Sequence, residues 1–158
     1  MDDPFFVRNL VYGTEDSLLS TTGMVVGLAW SGMPRRVIIT SGIILVLVEA
    51  LSMSFGAFVS EDSFIKASRK EQPTFGRLMK YAGVMFGSYI AAGIIPILPF
   101  VLNVPHAWRW SATLPIVALF VLVKTMVSGS TREALVMTGA GAAVLATSIA
   151  TGSIAKHV

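Results

Sequence analysis

Apolar residues in this chain come in long blocks, and the charged residues are confined to the joints between them. The longest block runs from Val37 to Ser60, about 24 residues with one charge. At ~1.5 Å per residue such a helix crosses a hydrocarbon core ~30 Å thick. Four further blocks have a similar character, and together they predict spans at about 16–33, 37–60, 78–102, 111–128 and 133–155. Residues 4–15 place Phe5, Phe6 and Leu10 on one helical face with Arg8 and Asn9 elsewhere, which predicts a short helix lying in the membrane interface, with a simple extension of the first span as the alternative. Pro34, Arg35 and Arg36 predict a tight turn. The stretch 61–77 is the polar loop, with Pro73 limiting any continuation of the second helix to about Gln72. Pro96 and Pro99, three apart near the end of the third block, predict a break or kink there and a candidate hinge.

The pattern gives an all-α, polytopic membrane protein forming one transmembrane domain. Composition agrees: 54% of the 158 residues are hydrophobic and 13% charged, against about 25% charged in soluble domains. The net charge of +3 raises nucleic acid as a partner. The basic residues, however, lie between apolar blocks, where membrane orientation accounts for them and nucleic acid is excluded. Arg8, Lys66, Arg69, Lys70, Arg77, Lys80, Lys124 and Arg132 fall on one side of a five-span layout, and Arg35, Arg36, Arg109 and Lys156 on the other. The first side is therefore expected to be cytoplasmic. It carries the N-terminus and the 61–77 loop, and leaves the C-terminus external or lumenal. The acidic opening, with Asp2 and Asp3 and no basic stretch, predicts that the first span is the insertion signal. There is no cysteine, hence no disulfide and no thiolate ligand.

One carboxylate, Glu49, sits deep in the second span. An acid at that depth costs free energy unless it pairs, protonates or faces a polar path, so it is a functional candidate by default. Met53 follows one turn later on the same face, and a thioether beside a carboxylate suits a transition-metal cation better than Mg²⁺ or Ca²⁺. Asp16 stands at the entrance of the first span. Its alternative role is to cap that helix. Glu15, Glu61 and Asp62 are candidates for a cytoplasmic mouth that attracts cations, or are simply solvated. Met24 and Met85 read as packing residues, Lys124 as an anchor reaching for the surface. His106 and His157 are not spaced as a ligand pair. No histidine–glutamate cluster, phosphate-binding glycine loop or Ser/His/Asp arrangement is legible, so the chain reads as a non-enzyme with no permanently bound cofactor.

These segments resemble a known family. FVRNLVYGTEDSLLSTTGMVVGL, Phe6 to Leu28, resembles the opening of the vacuolar iron transporters, whose Gly-x-x-Asp-Gly-Leu entry is met by Gly13, Asp16 and Leu18. ALSMSFGAFVSED, Ala50 to Asp62, resembles their Ser-Met-x-x-Gly-x-Tyr segment through Ser52, Met53, Gly56 and Phe58. GIIPILPF, Gly93 to Phe100, resembles the proline-rich end of their third span. The resemblance implies a homodimer of five-span protomers that exchanges Fe²⁺ or Mn²⁺ for protons. The path would lie at the dimer interface, with Asp16 and Met53 as ion-path residues. The chain departs from the family in three places. Leu45 stands where a glutamate is expected, eight residues before Met53, and Glu49 lies one turn deeper. Ser17 replaces the glycine after the aspartate. The long glutamate-rich domain between the second and third spans is reduced to the 61–77 loop. Those departures keep two alternatives open, a membrane scaffold of the same fold that does not transport and a cation channel.

Overall fold

The computed structural model describes residues 3–69, 72–122, 124–125 and 131–156, and the described residues form helices and no strand. The helices are α1 (Pro4–Trp30), α2 (Arg35–Arg69), α3 (Phe75–Val101), α4 (Ala107–Leu122) and α5 (Thr131–Ala155).

The first correction concerns α1. The short interfacial helix expected over 4–15 and the span expected from 16 are one unbroken helix of 27 residues. Asp3 starts it by accepting from the Phe5 N–H at 3.1 Å, and Pro4 occupies the first turn, where its missing N–H costs nothing. The seam between the two expected pieces, Gly13–Thr14, does not break. Thr14 Oγ1 donates back to the Leu10 carbonyl at 2.8 Å, and Gly13 is pressed against Met85 and Ser88 of α3. Tertiary packing thus overrides the weak helix propensity of glycine. At the far end Gly32 takes φ +85° and turns the chain through Pro34 into α2.

α2 is 35 residues long and continues to Arg69, so the first part of the 61–77 stretch is helix rather than loop. α3 runs through both Pro96 and Pro99 without ending. The segment is braced from outside: Ser111 Oγ donates to the Pro96 carbonyl at 2.6 Å, and Arg35 caps the C-terminal carbonyls of Phe100 and Val101 at 2.6 and 2.9 Å. α2, α3 and α5 are long and apolar enough to cross a membrane, over Arg35–Ser68, Phe75–Val101 and Leu135–Ala155. α4 is a shorter apolar helix. α1 carries Arg8, Glu15, Asp16 and a Ser/Thr run, so its polarity, not its length, separates it from the others.

α1 packs against all four other helices, α3 against α1, α2 and α4. The main core lies where α1, α2 and α3 meet, around Val25, Val46, Ala50, Tyr89, Ile97 and Phe100. A second cluster, Phe5, Ile65, Leu78 and Tyr81, closes the end that holds the N-terminus. There Tyr81 Oη donates to Asp3 at 3.1 Å and Lys80 reaches it at 3.3 Å. Burial pushes the Asp3 carboxyl up. The hydrogen bonds from Tyr81, Lys80 and the Phe6 and Phe5 N–H groups outweigh it and leave the group below its ordinary value.

Two outcomes follow from this packing. A Cβ on Gly93 would meet Val46 Cγ2 at 2.5 Å and Ser17 Oγ at 2.7 Å, and Ser17 is itself tied to the Tyr89 carbonyl at 2.6 Å. Gly93→Ala is therefore expected to cost about 1–3 kcal/mol through overpacking and to lower the melting temperature followed by gel filtration. Gly83→Ala, which meets nothing within 4 Å, should leave it unchanged. A carboxyl with a lowered pKa holds its folded-state contribution above its unfolded pKa and loses it as pH falls through the lowered value. The first turn of α1 should accordingly loosen below about pH 4, seen as faster amide exchange there, and Asp3→Asn should show that faster exchange already at neutral pH.

Candidate metal site and ion path

α1 and α2 run in opposite directions and both pack on α3, so residues early in α1 meet residues late in α2. Arg8 pairs with Glu61. Further along the seam Asp16 and Glu49 come close enough to repel one another. Both are half-buried, and among the described residues neither has an ion-pair partner. Asp16 lies far inside α1, where each N–H is already used by the helix, so its alternative role as a cap is overturned.

Tyr89 of α3 organises the pair. It is fully buried, its hydroxyl lies 2.8 Å from Ser20 Oγ, and it interacts with the Asp16 carboxyl. The hydroxyl therefore lies between Ser20 and Asp16 on the α3 side of the pair, with Glu49 contributed by α2. Nothing in the motif reading singled out Tyr89. Its signal was a tyrosine in the middle of an apolar span, where the hydroxyl needs a partner.

Met53 is partly buried on the α1–α3 core and also lines a cavity of about 430 Å³ with Arg8, Asn9, Tyr12, Ser60 and Met85. Met85, read as packing, is buried at 3% exposure and still reaches this cavity. Met24 packs on the same core and faces α5. Glu15 is half-buried beside Asp16.

The expected mouth residues part company. Asp62 is an outer residue, holding Lys66 at 2.7 Å one turn away. Glu61 is fully buried rather than solvated, because Arg8 pairs with it and Asn9 Nδ2 donates to it at 3.2 Å. Adjacent residues on a helix point about 100° apart, and the sequence alone did not say which of the two faces inward. Pro96 and Pro99 are both buried inside α3. Lys124 is exposed after α4, a helix that does not touch α2. His106 lies in the α3–α4 turn at φ 53°, and His157 lies outside the described residues. Among the described residues no three His, Cys, Asp or Glu side chains converge. What does converge is one carboxylate from each of two helices, with a thioether one turn from Glu49. Such a set can hold a cation through oxygen with a softer sulfur contact, as transition metals accept.

Residues 7–74 match the model of the VIT family. None of the curated proteins matches the chain. The matched segment contains most of α1 and all of α2, and with them Asp16, Glu49 and Met53. Over that segment the chain is similar to the VIT family, a family of metal-ion transporters.

Proposed function

We propose that this protein moves divalent transition-metal cations, Fe²⁺ or Mn²⁺, across a membrane in exchange for protons, with Asp16, Glu49 and Met53 as the path. One observation carries the reading: the Asp16–Glu49 approach. Two neighbouring carboxylates in a partly buried seam repel, and positive charge nearby relieves that repulsion. A divalent cation supplies it, and so do protons. Each replaces the other, which is the charge balance of an exchanger. Met53 offers sulfur and favours softer cations over Mg²⁺. Glu49 takes over the role of the family glutamate whose place is held by Leu45.

The working form is a homodimer in the lipid bilayer, as in the family. Supporting this, among the described residues α2 packs only against α1 and α3. It presents an outward apolar stripe of Ile44, Val48, Leu51, Phe55 and Val59, the most exposed being Phe55 at 71%, which suits either lipid or a second α2. The cytoplasmic orientation of the N-terminus draws support from Arg8, Lys66, Arg77 and Lys80, which gather at the end of the bundle where Asp3 meets Lys80. Bending at Pro96 and Pro99 would let the spans shift for alternating access.

The test is proton movement in liposomes holding purified protein, on addition of Fe²⁺ under reducing conditions, then Mn²⁺, then Mg²⁺. Proton release with Fe²⁺ or Mn²⁺ is expected. Glu49→Gln and Asp16→Asn should each reduce it by more than about tenfold, the effect of losing ~1.4 kcal/mol of transition-state stabilisation. Silence with every metal from a well-folded dimer would establish a scaffold, and metal flux indifferent to the proton gradient a channel. Met53→Leu keeps the volume and removes the sulfur. It is expected to narrow the preference for Fe²⁺ over Mg²⁺ in competition uptake while leaving the melting temperature nearly unchanged.

A further inference from the structure

The end of the bundle opposite Asp3 carries positive charge and no acid. Arg35, Arg36, Arg109 and Lys156 lie in or beside its turns, and the segments 31–36, 101–110 and 153–158 contain neither Asp nor Glu. All three tryptophans of the chain, Trp30, Trp108 and Trp110, lie at this end as well. Trp30 and Trp108 meet edge to face with centroids 5.4 Å apart. Tryptophan collects at the headgroup level of a bilayer, where an apolar ring and a polar N–H are both accommodated. Three of the four cations are engaged. Arg109 lies over the Trp108 ring at 5.4 Å and Lys156 over the Trp30 ring at 5.5 Å. Arg35 donates through Nε and Nη2 to the Phe100 and Val101 carbonyls, which leaves Nη1 outside those bonds. Arg36 is exposed and has no partner among the described residues. Arg35, Arg36, Ile39 and Thr40 line an open hollow of about 340 Å³ in the first turns of α2, with no carboxylate in its wall.

We propose that this hollow binds the phosphate of an anionic phospholipid headgroup, with Arg36 and Arg35 as guanidinium donors and Thr40 as a hydroxyl donor. A guanidinium suits a phosphate because its N–H groups fork onto two oxygens. Arg35 is already held in place by α3, so little freedom is lost when Nη1 meets a phosphate oxygen. Arg36 brings a charge that nothing else at this end uses. Positions 36 and 40 are one helical turn apart and share a face, so the Thr40 hydroxyl stands on the Arg36 side of the hollow. The apolar surroundings favour a lipid over a free anion. Ile39, one wall of the hollow, packs on the same core cluster as Trp108. Val37, Ile44 and Val48 continue outward-facing down α2, where acyl chains would lie. A zwitterionic headgroup would bring its own ammonium to an end of the bundle that has no acid to receive it, so net negative charge is preferred. This binding needs the bilayer but not metal transport, and the two can fail separately.

The experiment uses the three tryptophans as reporters. The full chain is placed in nanodiscs of mixed phosphatidylglycerol and phosphatidylcholine, and its fluorescence is quenched with one lipid or the other brominated. Each variant is normalised to its own intensity in unbrominated lipid. The unmodified chain is expected to prefer phosphatidylglycerol by about fivefold, the weight of one basic side chain at an anionic surface. Arg36→Gln should bring the two lipids to near parity while eluting like the parent, since Arg36 holds no other residue. Arg109→Gln/Lys156→Gln removes two charges from the same end but none from the hollow, and should leave the preference unchanged. No preference in the unmodified chain, or an equal or greater fall in Arg109→Gln/Lys156→Gln than in Arg36→Gln, would overturn the site in favour of diffuse surface charge. Loss of the preference on adding millimolar inorganic phosphate would overturn the lipid as its occupant in favour of a free anion.

Discussion

A helix surrounded by lipid gains little from setting leucine against leucine, so the bundle depends on how closely α1 can approach its neighbours. The buried face of α1 is small and hydroxylated where it meets them: Asn9, Gly13, Ser17, Thr21 and Thr22 lie along it with Leu18, Val25 and Val26. Such residues bring backbones together and let side-chain hydroxyls reach main-chain carbonyls on other helices. Ser17 does this with Tyr89 of α3. Where α3 and α5 press closest the partner is glycine: Gly93 against Ser17 and Val46, Gly152 against the Gly27 carbonyl, which a Cβ would approach to 2.6 Å. The polarity that makes α1 a poor membrane span on its own is what makes it the centre of the fold.

The same close approach creates the site. Packing α1 and α2 together on α3 sets Asp16 near Glu49, and Tyr89 of α3 interacts with Asp16. Repulsion between the two acids works against the packing that brings them together. The packing persists because the core around Val25, Val46, Ala50 and Tyr89 extends on both sides of the pair. The seam is therefore held together by its apolar neighbours while its centre is left short of positive charge.

Much of this was legible from apolar periodicity and helix-stop residues. The helical class, the turn at Pro34, the continuation of the second helix toward Pro73 and the shared face of Glu49 and Met53 all follow from local rules. The failures have a common cause, which is that long-range contacts decided them. Gly13–Thr14 looks like a joint until Met85 and Ser88 pack on it. Pro96 and Pro99 signal a helix end on local rules, yet α3 continues to Val101 with Arg35 and Ser111 taking up nearby carbonyls. Glu61 looks solvated until Arg8, far away in sequence, reaches it. Tyr89 looks like one more aromatic residue of a membrane span until Ser20 and Asp16 surround its hydroxyl.

The two acidic positions along the α1–α2 seam differ in how their charge is met. Glu61 has a resident cation from its own chain, Arg8. Asp16 and Glu49 have none among the described residues. On the exchange reading their countercharge would come from outside, as protons or as a metal ion. Both bind the same carboxylate oxygens, so each would displace the other.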